Sequence, residues 1–188
     1  MSIFFIGDTH FFHNNVIKYC NRPFKDSEEM NRAMIDNWNS VVKPTDHIYH
    51  VGDFGFAHED KLYNVLKRLN GVKHLVWGNH DKIIRKSTLL RSKFESLSEL
   101  KEIYVQHHSF PEGKQKIVLC HYSMRVWNKA HWGAYHLFGH SHGTLLDDPN
   151  SLSFDVGVDS WNFTPVSLEE VINKMTTKNF KPLDHHKQ

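Results

Sequence analysis

Thiols are nearly missing from this 188-residue chain, which has two cysteines, Cys20 and Cys120. Two cannot form a disulfide framework, and these lack the paired spacing of a zinc ribbon. Both are therefore expected to be buried small hydrophobes in a reducing compartment. No apolar run is long enough to span a membrane: Met1 to Ile6 is apolar, but Asp8 ends it, and no basic segment precedes it as in a signal peptide. Charge of one sign is not in excess either, with 23 Lys+Arg against 21 Asp+Glu. Nothing announces a strongly basic polyanion-binding surface. Internal repeats and low-complexity linkers are lacking as well. The expectation is one soluble, cytoplasmic domain over residues 1–188 with no membrane partner. Its polar tail frays from Lys178, and the His185-His186 pair is a solvated end.

What is present is an alternation of short β-like runs with amphipathic helical stretches, the pattern of an α/β layered fold. Strands are expected at Ile3–Ile6, His47–Val51, His74–Trp77, Ile103–Gln106, Lys116–Cys120 and Tyr135–Phe138, with another over Asp155–Asp159. Asp26 and Glu29 form a capping-box pattern before Met30, Met34, Trp38 and Val41, predicting a helix over 27–41. Leu62, Val65, Leu66 and Leu69 recur at helical spacing, with Asn70-Gly71 as the C-cap. Ser167 and Glu170 cap a last helix whose apolar stripe is Leu168, Val171, Ile172 and Met175.

Five clusters of metal-type ligands follow the apolar runs: Asp8-Thr9-His10, Gly52-Asp53, Gly78-Asn79-His80-Asp81, His121 and Gly139-His140-Ser141-His142. Open α/β sheets bind ligands beyond the carboxyl ends of their strands, so five clusters at five strand ends can converge on one site. In an extended segment, Asp8 and His10 point to the same side. Glycine beside four of the clusters lets the chain turn sharply and approach a ligand closely. Imidazole, carboxylate and amide donors suit Mn²⁺, Fe or Zn²⁺, and the lack of a thiolate argues against a structural zinc.

In this order the clusters resemble the calcineurin-like metallophosphoesterase superfamily, over Asp8 to His142. The small bacterial and phage members are the most similar, through Asn21-Arg22-Pro23-Phe24 and Gly157-Val158-Asp159. The resemblance implies a layered α-β-β-α sandwich of mixed sheets with a dinuclear metal site at strand carboxyl ends. Asp8, His10 and His142 would hold one divalent cation, Asn79, His121 and His140 a second, and Asp53 would bridge them. Mn²⁺ is the foremost expectation for both, with Fe, Zn²⁺ and Ni²⁺ as alternatives. A metal-bridging hydroxide would attack phosphorus, His80 would act as general acid, and Asp81 would hold its ring.

The substrate is read as a small phosphorylated molecule: a phosphodiester of a nucleotide or nucleic-acid end. Protein phosphatases of the superfamily carry an Asp-Arg pair soon after Gly-Asp, and here Phe54-Gly55-Phe56-Ala57 stands instead. A phosphomonoesterase or nucleotidase, and a non-catalytic interaction module on the same fold, remain alternatives. His13, Arg22, Arg125 and Asn162 are candidate substrate contacts. The aromatic segment from Tyr122 is either a flap whose rings stack on a base, or a loop with Trp127 and Trp132 packed beneath it.

Overall fold

In the computed structural model, which describes residues 1–110 and 112–184, the chain runs through nine strands and six α-helices. They are β1 (Ile3–Ile6), α1 (Asn14–Tyr19), α2 (Ser27–Val41), β2 (His47–His50), α3 (Glu59–Arg68), β3 (Val72–Val76), α4 (Lys82–Lys86), α5 (Thr88–Arg91) and β4 (Ser96–Ser98). There follow β5 (Leu100–Gln106), β6 (Lys114–Cys120), β7 (Tyr135–Phe138), β8 (Ser153–Asp155), β9 (Val166–Ser167) and α6 (Leu168–Thr176). Among the described residues, no helix is long and apolar enough to cross a membrane. The His185-His186 pair lies outside the described residues.

The strands form two mixed sheets, ordered β4-β3-β2-β1-β9 and β5-β6-β7-β8. In the first, β9 alone is antiparallel to its neighbour; in the second, β5 alone is. Alternation along β1 explains its continuous apolar character. Phe4 and Ile6 join Met30, Met34, Trp38, Leu62 and Leu66 in a core under α2 and α3, while Phe5 faces the second sheet. There it meets a core that includes Val51, Val76, Ile117, Leu119 and Leu137, to which α6 adds Val171, Ile172 and Met175. A bridge joins Gly7, past β1, to Gly157, past β8, so the carboxyl ends of strands from both sheets meet at one edge.

The long amphipathic segments fold as their patterns require. Ser167 and Glu170 form a complete capping box, whereas Asp26 caps Glu29 N–H but Glu29 turns back to Lys25 N–H. The last helical residue of α3 is Arg68 and Leu69 is already extended, so Asn70-Gly71 belongs to the turn into β3. Missing from the sequence reading are α1, α4, α5, β4 and β9, all six residues or shorter, too few to display a period.

Four expectations need correction. The strand expected over Asp155–Asp159 is β8, Ser153–Asp155. Asp155 accepts the Gly157 N–H, and the chain then coils into a 3-10 turn at Val158–Ser160. The tail does not fray at Lys178: that side chain is buried against the Asp147 carboxylate and two carbonyls, and Asn179 and Lys181 donate backbone bonds to Pro149 and Asn150. Both cysteines are free thiols but only half-buried. Trp127 packs as a loop core, donating to Ala134 O, but Trp132 is 73% exposed beside Lys116 and Tyr104, near the start of β6 rather than at its carboxyl end.

Candidate metal centre

The residues after β1, β2, β3, β6 and β7 do converge. Asp8, His10 and His142 bring one donor atom each within 4.8 Å of one another, and so do Asp53, His121 and His140. Asp53 lies between the two groups: its Oδ2 is 3.5 Å from His10 Nε2 and 3.5 Å from His121 Nε2. Asn79 Oδ1 sits 3.0 Å from His121 Nε2.

The backbone reaches these positions by a route that differs from the extended Asp-x-His geometry. Asp8, His10, Asp53, His140 and His142 all adopt left-handed backbone, with φ between 48° and 68°. Non-glycine residues seldom do so, Asp and His less reluctantly than most, and such strain concentrates at functional sites. Gly78 and Gly139 are needed for close approach rather than for turning: a Cβ on Gly78 would lie 2.2 Å from Asp53 Oδ1, and one on Gly139 2.6 Å from Asp8 Oδ2.

Hydrogen bonds to the far side of the rings set their tautomers. His121 Nδ1 lies 2.8 Å from Val51 O, so that nitrogen carries the proton and Nε2 offers a lone pair. That lone pair faces Asn79 Oδ1, Asp53 Oδ2 and His140 Nδ1, the last at 3.2 Å. His142 Nδ1 contacts Asp159 Oδ2 at 2.7 Å, which likewise leaves Nε2 free. Asp8 Oδ1 and both ring nitrogens of His10 are buried with no hydrogen-bond partner. Burial, then the nearby Asp155 and Asp53 carboxylates, push Asp8 well above the usual carboxylate range, and burial pushes His10 far below that of histidine. Converging donors of this kind, several of them without a partner, fit divalent cations.

A second tier of residues holds the donors. Arg22 is buried: its Nε and Nη2 clasp Asp159 at 2.7 and 2.8 Å, and it also donates to the carbonyls of Asp8 and Thr9. That commitment overturns its reading as a substrate contact. Asp81 also has another role than steadying the His80 ring, because its carboxylate accepts the backbone N–H groups of Asp53, Phe54 and Gly78, locking two metal-site loops together. His50 accepts Gly52 N–H at Nδ1, so Nε2–H points to the Thr9 hydroxyl, which donates to Phe54 O; burial pushes His50 down to about 3. Asp159 was visible only as part of Gly157-Val158-Asp159, and Thr9 and His50 only as neighbours of the motifs.

His80 is exposed at the mouth, with its backbone N–H 2.8 Å from Asp53 Oδ1 and its ring 5.7 Å from that of His10. His13 is on the same rim, 5.5 Å from His10 between ring centroids. Arg125 is exposed and lines a neighbouring cavity of about 670 Å³, whose wall includes Ser123, Gly143 and Ser160. Asn162 is exposed, and its backbone carbonyl accepts from the Asn37 and Thr164 side chains.

The sequence profile of the calcineurin-like phosphoesterase superfamily domain matches residues 1–158. The chain belongs to that superfamily. An uncharacterised protein of Methanocaldococcus jannaschii is 33% identical to this phosphoesterase-family chain, over 90% of it and 89% of the relative. A solved structure of a protein of unknown function from Aquifex aeolicus shares the fold, with a TM-score of 0.67 at 24% identity, covering 92% of this chain and 98% of that one. Membership brings metal-dependent cleavage of phosphate esters as the family's chemistry, and the chain carries two groups of candidate metal donors.

Proposed function

We propose that this protein is a dinuclear metal-dependent phosphodiesterase acting on a nucleotide or a nucleic-acid end. The carrying observation is the Asp53 carboxylate, equidistant at 3.5 Å from an imidazole of each donor group. Asp8, His10 and His142 would hold one cation and Asn79, His121 and His140 the other, with Asp53 shared; the oxygen and nitrogen donors favour Mn²⁺. Bound there, the pair supplies an acidified water as nucleophile and neutralises phosphate charge.

The chain's own groups supply the rest. His80, exposed beside the donors, would meet the leaving-group oxygen and protonate it. Its backbone N–H holds Asp53 Oδ1, which leaves Oδ2 for the cations. A diester carries one negative charge fewer than a monoester, and Arg22, the cation packed against the Asp8 and Thr9 backbone, is committed to Asp159 and two carbonyls and so is not free to meet the extra charge of a monoester. Two unpaired cysteines suit the reducing cytoplasm.

The test is Mn²⁺-dependent hydrolysis of bis-p-nitrophenyl phosphate beside p-nitrophenyl phosphate, with 2′,3′-cyclic nucleotides and short nucleic acids as further substrates. His80→Ala is expected to retain two Mn²⁺ per chain and its circular dichroism while losing about 10²–10⁴-fold in kcat. Cleavage of the monoester alone, or a single bound metal, would refute the reading; no hydrolysis at all would favour the interaction module.

A further inference from the structure

We propose that Phe56 is the residue that positions the His80 imidazole over the metal centre. This rests on the reading of His80 as proton donor, since Phe56 itself touches no reacting atom. Asp81 does not do this work: its carboxylate accepts three backbone N–H groups and no bond from the His80 ring. Among the described residues nothing hydrogen-bonds to the His80 ring, and an exposed imidazole with no partner samples several rotamers. Two rings touch it. Phe56 lies 4.7 Å away between centroids at 47°, and His10 lies 5.7 Å away at 60°.

Phe56 also stacks on His13, at 4.1 Å and 15°, and reaches His10 at 5.6 Å. One phenyl ring therefore fills the space between three imidazoles of the site, at separations typical of aromatic pairs. Its backbone is anchored for this. Phe56 N–H donates to Phe11 O at 2.7 Å, and Gly55 forms a bridge with Phe11. At Gly55 a Cβ would sit 2.7 Å from a Leu62 methyl and 3.1 Å from Phe11 O, so the segment packs closely between α3 and Phe11. Phe56 nonetheless remains 36% exposed, an aromatic ring kept at the water's edge, where core packing alone gives it little reason to be. A ring held on one face restricts His80 without lending it a proton acceptor that would compete with the substrate.

Two measurements test this, one independent of turnover. In the metal-free protein, the His80 ring resonances, assigned with His80→Gln, are expected to be displaced by the Phe56 ring current; Phe56→Leu removes the displacement and Phe56→Tyr keeps it. With Mn²⁺ loaded, Phe56→Leu is expected to lower kcat about 10-fold on a diphenyl phosphate diester, with KM and metal content unchanged. The loss should be smaller on bis-p-nitrophenyl phosphate, whose leaving group has less need of a proton, and Phe56→Tyr should restore both rates. Unmoved His80 resonances in Phe56→Leu, or equal losses on the two diesters, would overturn the proposal. A fully active His80→Ala would instead remove the acid role of His80, leaving the resonance displacement to decide whether Phe56 orients the ring.

Discussion

Asp159 meets the candidate donor group through its neighbour His142. Burial alone would raise its carboxyl, yet the hydrogen bond from His142 and the Arg22 fork hold it below the usual carboxylate range. It thus stays charged, fixes the Nδ1–H tautomer of His142 and keeps Nε2 turned to Asp8 and His10. Carboxylate partners of metal-binding histidines are worth about 10–100-fold in metal affinity. Asp159→Asn is expected to weaken Mn²⁺ binding by that factor in titration calorimetry with the fold intact, and an unchanged affinity would show that the contact is incidental.

Across β2, β3 and β4 runs a ladder of side chains: His47 Nδ1 to His74 Nε2 at 2.9 Å, and His74 Nδ1 to Ser96 Oγ at 2.8 Å, with Tyr49 stacked on His74 at 4.4 Å. Two imidazoles sharing a hydrogen bond need at least one unprotonated nitrogen, and burial, then the nearby His47 and Lys101, push His74 down to about 4. An unfolded histidine takes a proton near pH 6.5. Because the folded value is lower, the contribution of His74 is complete above that pH and is lost as the pH falls from about 6.5 toward 4. Urea midpoints measured between pH 7 and 4.5 should therefore fall. His74→Gln should flatten the slope by up to about 1.4 kcal/mol per pH unit. Parallel slopes in the two proteins would show that the strand ladder does not titrate.

At the scale of the molecule, the donors come from both halves of the sandwich. Asp8, Asp53 and Asn79 follow strands of the first sheet, while His121, His140 and His142 follow strands of the second. Cations held among them would join the two sheets at one edge, and neither sheet alone carries the full set of candidate donors. Each Mn²⁺ at 100 times its Kd is expected to stabilise the fold by about 2.7 kcal/mol. For a chain of this size that raises Tm by roughly 5–11 °C. Thermal melts with and without EDTA measure it; a Tm unmoved by Mn²⁺ would mean that the metal does not bind the folded state preferentially.

The sequence by itself determined the elements whose apolar positions stand out, and it offered the candidate metal donors. β1, α2 and α6 are set by apolar positions that tertiary contacts merely receive, and Asp8, His10, Asp53, Asn79, His121, His140 and His142 stood out because few other roles ask for those types behind apolar runs. Tertiary structure decided whatever depends on partners far along the chain. Arg22 looked free until it met Asp159, 137 positions away; Asp81 looked like the servant of its neighbour His80 until the backbone of Asp53 and Phe54 claimed both its oxygens. Phe56 carried no signal at all, since an aromatic residue after a turn acquires meaning only from the three imidazoles folded around it. Donor chemistry is a property of residue type and can be read locally; orientation is a property of contact, and contact exists only once the sheets have closed.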